Sequence, residues 1–234
     1  MIYFDDLPLS KDILDALSEL KISYVFQPIF YPDGKTVFAR EALMRPQDMD
    51  VTELIEKYQK EEKLHILEVA TLFGATQAYF MRGYKEILSV NTFPNQIFTR
   101  DEVQAYIDYF GEDKAAMMLE TLEYPELSVE IARTKREFAD INDNLIAIDD
   151  FGTGISNFDA IEAAKPDIVK IDRTLLKDID LDKIRQTQLK EMIDTFHKRG
   201  MRVVAEGIET EAEFDTMKKL GADLFQGYYL GMPE

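Results

Sequence analysis

The sequence predicts an α/β fold whose parallel strands close into a barrel. Beyond the first quarter of the chain, strand-like apolar runs alternate with helix-length segments, which is typical of a parallel sheet. Polar residues follow the C-terminal ends of many different strands, where barrels of this class keep their functional groups. An open doubly wound sheet often carries a glycine-rich phosphate loop, and the chain has neither G-x-G-x-x-G nor a Walker-type loop.

The individual elements follow from the hydrophobic period and the turn residues. A first helix is expected over roughly 10–20, because Ile13 and Leu17 fall on one face and Ser10 can cap its start. Pro32-Asp33-Gly34 separates the first two strands, which predicts a hairpin and therefore one antiparallel pair. The strands are expected near 23–30, 36–44, 86–92, 115–121, 144–150, 167–172, 202–207 and 223–230. The remaining helices are expected near 52–82, 99–109, 126–140, 156–163, 182–199 and 210–220.

Composition limits the domain count and the partners. The 234 residues, 46% of them hydrophobic, suffice for one large core, and no linker divides them. We therefore expect a single domain over 1–234, with 1–22 as a helical extension packed on the barrel. The net charge of -18 argues against binding of DNA or RNA polymers and of anionic membranes. Cysteine is absent, and no signal peptide or transmembrane run is present, so a cytoplasmic protein without thiolate metal sites is expected.

The most informative pattern is a polar residue at the end of six strand-like runs. These residues are Glu41, Asn91, Glu120, the pair Asp149-Asp150, Asp172 and Glu206. If the strands form a barrel, their side chains meet on one rim. A ring of carboxylates is untenable without cations between them, so the pattern predicts a metal site with oxygen ligands.

Two of these strand ends carry further features. Glu41, Leu43 and Arg45 share one face of a strand, and a metal ligand beside a phosphate-binding arginine suits a phosphate ester substrate. The alternative is a local surface ion pair. Asp149 and Asp150 adjoin each other before a glycine loop, where they could bridge and flank two divalent ions; the alternative is a loop with aspartate caps.

Lys170 lies inside an apolar strand and therefore needs a charged partner. Among acids it would stay charged and could hold the attacking water or the leaving oxygen; the alternative is a structural ion pair. Glu123 and Glu209 each follow a strand-end glutamate by three residues and could fix a loop, although Glu209 could equally be an ordinary acid near a helix start. Gln226 is a weaker oxygen donor of the same kind as Asn91. His65 and His197 lack partners at metal-ligand spacing and are expected to be structural.

Four motifs occur in order along the chain. They are Glu41-Ala42-Leu43, Asp149-Asp150-Phe151-Gly152-Thr153-Gly154, Lys170-Ile171-Asp172-Arg173 and Val204-Ala205-Glu206-Gly207. With them, the chain from about residue 24 onward resembles the EAL-domain family of cyclic di-GMP phosphodiesterases. The resemblance implies a modified TIM (β/α)₈ barrel with one antiparallel strand. It also implies hydrolysis of cyclic di-GMP to linear pGpG with two Mg²⁺ or Mn²⁺ ions.

The resemblance also implies roles for individual residues. The metal ligands of the family fall on Glu41, Asn91, Glu120 and Asp149, with Asp150 at the second metal. Lys170 matches the lysine that contacts the catalytic water, Glu206 the nearby carboxylate, and Glu123 the glutamate that steadies the loop after Asp150. The matches to positions that contact substrate or line the site are Gln27, Leu43, Arg45, Glu209 and Gln226. By analogy alone, a homodimer is expected.

Some positions depart from the family pattern. Pro46 stands where tryptophan is frequent, 155–158 differ from the usual aromatic-serine-serine-leucine run, and Met232 replaces a usual arginine. These departures motivate an alternative, a non-catalytic cyclic di-GMP receptor or protein-interaction module on the same fold. Without the resemblance, a metal-assisted barrel that enolises a carboxylate substrate would also place acids and a lysine at strand ends.

Overall fold

The strands of the protein form a closed barrel. The computed structural model describes residues 7–111, 116–122, 128–152 and 162–234. Within those ranges, eight strands close in chain order, from β1 beside β2 to β8 beside β1. They are β1 (Ile22–Phe30), β2 (Val37–Pro46), β3 (Ile87–Thr92), β4 (Met117–Leu122), β5 (Leu145–Phe151), β6 (Ile168–Ile171), β7 (Arg202–Ala205) and β8 (Leu224–Phe225).

The first strand runs against the direction of the others. β1 pairs antiparallel with β2 along its whole length and antiparallel with β8 where Phe30 meets Phe225. The remaining neighbours, from β2–β3 to β7–β8, are parallel. The predicted barrel with one antiparallel strand is therefore confirmed, and closure onto β8 adds a second antiparallel contact to the expected hairpin.

The helices of the described residues lie where the sequence predicts most of them. They are α1 (Lys11–Ser18), α2 (Val51–Lys60), α3 (Leu64–Met81), α4 (Arg100–Phe110), α5 (Val129–Ile141), α6 (Arg173–Leu176), α7 (Lys183–Lys198) and α8 (Glu211–Leu220). A capping box formed by Thr210 and Glu213 starts α8, and equivalent boxes start α2 and α4. Each box satisfies backbone N–H groups that a helix start leaves unpaired.

Three element predictions differ from the structure. The prediction of a single helix over 52–82 is wrong, because two helices form there. α2 ends at Lys60 and α3 begins at Leu64, and Glu62 between them has φ 57°. The last strand is shorter than 223–230, since β8 ends at Phe225. The short helix α6 was not predicted, since its four residues are too few to show a period. Most of the helix predicted over 156–163 lies outside the described residues.

The interior of the barrel has an apolar layer beneath a polar one. Because side chains alternate along a strand, residues two apart share a face. One buried apolar cluster consists of Ile29, Phe38, Ala39, Met118, Ala147, Ile168, Val204 and Leu224. Two residues after six of its members come Glu41, Glu120, Asp149, Lys170, Glu206 and Gln226. The two-residue period therefore places these polar side chains in one layer above an apolar floor.

In the part of the chain that the structure describes, no helix has both the length and the apolar character needed to cross a bilayer.

The segments that follow β7 and β8 approach each other closely beside this polar layer. A Cβ built on Gly227 would lie 2.1 Å from the carbonyl oxygen of Ile208, and Gly227 has φ 156°. The approach is fixed by hydrogen bonds from the Ile208 N–H to Gln226 O (3.0 Å) and from the Tyr229 N–H to Ile208 O (3.0 Å). Only glycine allows the loop after β7 and the segment after β8 to approach this closely.

We predict that Gly227→Ala lowers the free energy of unfolding by about 3 kcal/mol, because a backbone atom cannot move aside for the new methyl group. Gly200→Ala is the matched control, since Gly200 has φ 81° but open space around its Cβ position. In Gly200→Ala only the backbone conformation is strained, which should lower the free energy of unfolding by about 1 kcal/mol. Urea unfolding measures both, and equal losses would contradict the clash.

Candidate functional site

The centre of the polar layer is the ammonium group of Lys170. Its side chain is only 1% exposed, in the middle of β6. Four carboxylate oxygens surround Nζ, at 2.7 Å (Glu120 Oε2), 2.7 Å (Asp149 Oδ1), 2.8 Å (Glu206 Oε1) and 3.4 Å (Glu41 Oε2). They come from β2, β4, β5 and the residue after β7, so strand ends distant in sequence meet at one point.

This arrangement changes the proton affinities of the whole cluster. Burial alone would lower the pKa of Lys170, but Asp149, Glu120, Glu206 and Glu41 raise it well above its usual value. Burial, with the charge of Glu41, raises the pKa of Glu120 to about 8. Burial also raises the pKa of Glu206 well above its usual value, against the pull of Lys170. One ammonium therefore stabilises the charge of only part of the cluster.

The site lowers the pKa of Glu41. Burial opposes its charge, but Lys170 and the side-chain amides of Gln226 and Asn91 lower its pKa. Gln226 Nε2 donates to Glu41 Oε2 at 2.6 Å, and Asn91 Nδ2 donates to Glu41 Oε1 at 3.1 Å. Gln27 braces this group, since it accepts from Gln226 Nε2 (3.4 Å) and donates to Gly231 O (3.2 Å).

A strand irregularity brings Asp149 and Asp150 to the same site. Neighbouring residues of a regular strand point to opposite faces. Here the β5–β6 register shifts between Ile148 and Phe151, and Asp150 has φ 53°. A bulge re-aims side chains in this way. Burial and the neighbouring charge of Asp149 raise the pKa of Asp150 to about 6.

The donor set fits a divalent cation. One carboxylate oxygen from each of Asp149, Asp150 and Glu206 lies within 4.8 Å of the others. With Glu41 and Glu120, the described cluster holds five carboxyl groups and one ammonium, so full ionisation of the carboxyl groups would leave a large excess of negative charge. Carboxylate and amide oxygens suit hard ions such as Mg²⁺, Mn²⁺ and Ca²⁺. Cations between these groups would offset the repulsion that Lys170 alone leaves.

Other predicted residues lie at the margin of the cluster. Arg45 is exposed, and its guanidinium donates to Met44 O at 2.9 Å. Glu41 pairs with Lys170, so the alternative prediction of a local ion pair between Glu41 and Arg45 is wrong. Leu43 is half-buried on the same strand. Glu209 is exposed and pairs with Arg173 NH2 at 2.6 Å. Glu123 lies outside the described residues.

The remaining residues have roles away from the cluster. Asp172 caps α6 by accepting from the Thr174 N–H at 2.8 Å. His65 contacts Glu102 (2.7 Å) and His197 contacts Asp223 (2.8 Å), both in structural pairs.

Sequence reasoning missed the contribution of Ser89. Its hydroxyl donates to Glu120 Oε1 and thereby orients that carboxylate. The signal that could have found it is its position two residues before Asn91 on β3, on the inward face.

Comparison with known proteins assigns the chain to a family. The EAL domain matches residues 10–233. The chain belongs to the EAL-domain family. The motifs that carry the cluster around Lys170 are thus found within a domain that spans nearly the whole chain.

Relatives in Escherichia coli (strain K12) match shorter stretches. Over 129 residues the chain is 30% identical to the cyclic di-GMP phosphodiesterase PdeL, covering 54% of this chain and 35% of PdeL. Over 89 residues it is 37% identical to the probable cyclic di-GMP phosphodiesterase PdeA, covering 38% of this chain and 12% of PdeA. The matched segments are therefore well under half the length of either relative.

Solved structures match along most of the chain. A standalone EAL protein from Vibrio cholerae O395, in its cyclic di-GMP-bound form, is 28% identical with a TM-score of 0.79, covering 92% of this chain and 93% of that one. Klebsiella pneumoniae BlrP1, in a manganese and cyclic di-GMP complex, has a TM-score of 0.78 at 24% identity, covering 92% and 56%. The second likeness concerns the fold alone.

We predict that Lys170→Met lowers the free energy of unfolding of the metal-free protein by about 3–5 kcal/mol, because it leaves buried carboxylates without their counter-charge. Lys190→Met is the control, since Lys190 forms an exposed pair with Asp194 one helical turn away. Such pairs contribute about 0.5 kcal/mol or less. Urea unfolding in the presence of a chelator measures both. A Lys170→Met variant as stable as the control would contradict a central role for the ammonium.

Proposed function

We propose that the protein is a metal-dependent phosphodiesterase that hydrolyses cyclic di-GMP to linear pGpG. The observation that carries the proposal is the convergence of Glu41, Glu120, Asp149 and Glu206 on Lys170, with Asp150 beside them. Each of these positions carries the residue type expected for an active member of the family. The phosphodiesterase names of PdeL and PdeA, which belong to those proteins, add support.

Two Mg²⁺ or Mn²⁺ ions are the cofactors of this proposal. Glu41, Asn91, Glu120 and Asp149 would hold one ion, and Asp150 would serve the second. Bound divalent ions supply a water whose pKa falls towards about 7 and neutralise charge that develops on the phosphate. The excess of carboxylates over ammonium groups supports a demand for cations here.

The protein's own groups then position the reactants. The Lys170 ammonium, kept charged by its neighbours, would donate a hydrogen bond to the attacking water and fix its direction. Glu206 would hold the ammonium from the other side. Arg45, exposed at the end of β2, would bind a phosphate oxygen through its guanidinium.

Other residues would shape the substrate site. Gln27 and Gln226 would line its floor, and Leu43 and Glu209 its margin. Glu123 would steady the loop after Asp150. A homodimer is part of the proposal by analogy with the family.

A cyclic di-GMP receptor without turnover is the second candidate. Met232 is 58% exposed near the end of the chain, where a guanidinium is usual in the family, and Pro46 replaces an aromatic residue beside Arg45. Both changes concern substrate contacts and leave the cluster around Lys170 complete. The two candidates share binding and differ in product formation.

We expect the purified protein with cyclic di-GMP and Mn²⁺ to form pGpG, and a chelator to stop it. Glu41→Ala should lower turnover by at least about a hundredfold, because it removes a proposed ligand and the partner of two amides. Glu191→Ala, on the exposed face of α7, should keep the wild-type rate. Chromatography of the nucleotide products measures each. Binding without product selects the receptor, and neither binding nor product rejects both.

Asp150→Asn should reduce kcat by more than it raises KM, because the proposed second ion stabilises charge that grows during the reaction. Steady-state kinetics at saturating Mn²⁺ separate the two constants. A rise in KM with unchanged kcat would instead make Asp150 a substrate-binding residue.

A further inference from the structure

A second buried ion pair lies outside the barrel, behind β3 and β4. Glu68 on α3 has a side chain that is 1% exposed, and Lys135 on α5 has one that is 11% exposed. Glu68 Oε1 and Lys135 Nζ are 3.9 Å apart. Removing two charges from water is costly unless further hydrogen bonds satisfy them. The partners of these charges therefore indicate what the pair does.

Both charges bind Phe93, the residue that follows β3, and Lys135 also binds Thr92 at the end of the strand. Glu68 Oε2 accepts from the Phe93 N–H at 2.8 Å. Lys135 Nζ donates to Phe93 O at 2.6 Å and to Thr92 Oγ1 at 3.0 Å. The backbone donor and acceptor of Phe93 are thus both held by a charged group. Hydrogen bonds to charged groups are roughly twice as strong as those between neutral ones.

Through Thr92 the same pair reaches β4. The Thr92 hydroxyl lies 2.9 Å from Glu120 O and 3.0 Å from Thr121 Oγ1. Asn91 and Glu120 are register partners across β3 and β4. The charges outside the barrel therefore hold the residue after Asn91 and, through its hydroxyl, the carbonyl of Glu120.

We propose that Glu68 and Lys135 are positioning residues that fix Asn91 and Glu120 in the geometry required to bind the cation. The proposal rests on the proposed function for the identity of that cation. Residues that orient ligands through hydrogen bonds have measurable effects on metal affinity, typically 10–100-fold. A pair that served only stability would leave metal affinity unchanged in a variant that folds.

The test compares two double variants, each of which changes one residue of α5 together with its charged partner on another segment. Glu68→Gln with Lys135→Met removes both charges together, so that no unpaired ion stays buried, and the introduced amide can still accept from Phe93. Arg136→Met with Asp167→Asn is the matched control. Arg136 follows Lys135 on α5 and pairs with Asp167 at 2.8 Å. Asp167 accepts from the Ile146 N–H near the start of β5, at the end of the barrel opposite to the carboxylate cluster.

Two readouts separate positioning from stability. The first is the dissociation constant for Mn²⁺, measured by calorimetry. The second, in metal-free protein, is the side-chain amide resonance of Asn91, which reports its hydrogen bond to Glu41. We expect the Glu68/Lys135 variant to bind Mn²⁺ about tenfold more weakly and to shift the Asn91 resonance. The Arg136/Asp167 variant should match wild type in both, and urea unfolding should show that it is less stable than wild type.

Unchanged Mn²⁺ affinity and an unchanged Asn91 resonance in a folded Glu68/Lys135 variant would overturn the proposal, as would equal changes in the control. Wild-type protein that binds no Mn²⁺ would reject the proposed function instead, and the resonance alone would then decide the positioning claim. If the double variant does not fold, Thr92→Val replaces it. That change removes the hydroxyl between Lys135 and Glu120 and should shift both readouts in the same direction.

Discussion

The structure depends on one buried ammonium that cannot exist without its carboxylates. Lys170 is almost inaccessible to solvent, and Glu41, Glu120, Asp149 and Glu206 provide the charge that makes its burial tolerable. The dependence is mutual, because the carboxylates would repel one another around an empty centre. Strand order, register and closure of the barrel are the means by which groups from distant parts of the chain reach this point.

The same charge balance links the fold to its chemistry. The ammonium offsets only part of the negative charge, and the raised pKa values of Glu120 and Asp150 reflect the remainder. We propose that a site in this state binds cations before any substrate arrives. Membership of the EAL-domain family agrees with this, and hydrolysis of a cyclic dinucleotide is the activity we propose for it.

Much of this was accessible from the sequence because it follows from local periodicity. The alternation of strands with helices predicted the barrel, and polar residues at the strand ends predicted that Glu41, Glu120 and Glu206 meet on one rim. The separation of α2 from α3 was missed because α3 is buried on most sides. Its sequence therefore lacks the amphipathic pattern that would distinguish it as a helix of its own. The bulge that turns Asp149 and Asp150 to one side depends on the neighbouring strand. Glu68 and Lys135 were missed because their partners are the backbone of Phe93 and the hydroxyl of Thr92, which no residue spacing reveals.

The most direct test of the account is X-ray diffraction at the manganese absorption edge, from crystals soaked in Mn²⁺. The account predicts two anomalous peaks about 3.5–4 Å apart. One should contact Glu41, Asn91, Glu120 and Asp149, and the other Asp150. Carboxylates that point away from one another, with no anomalous peak among them, would contradict it.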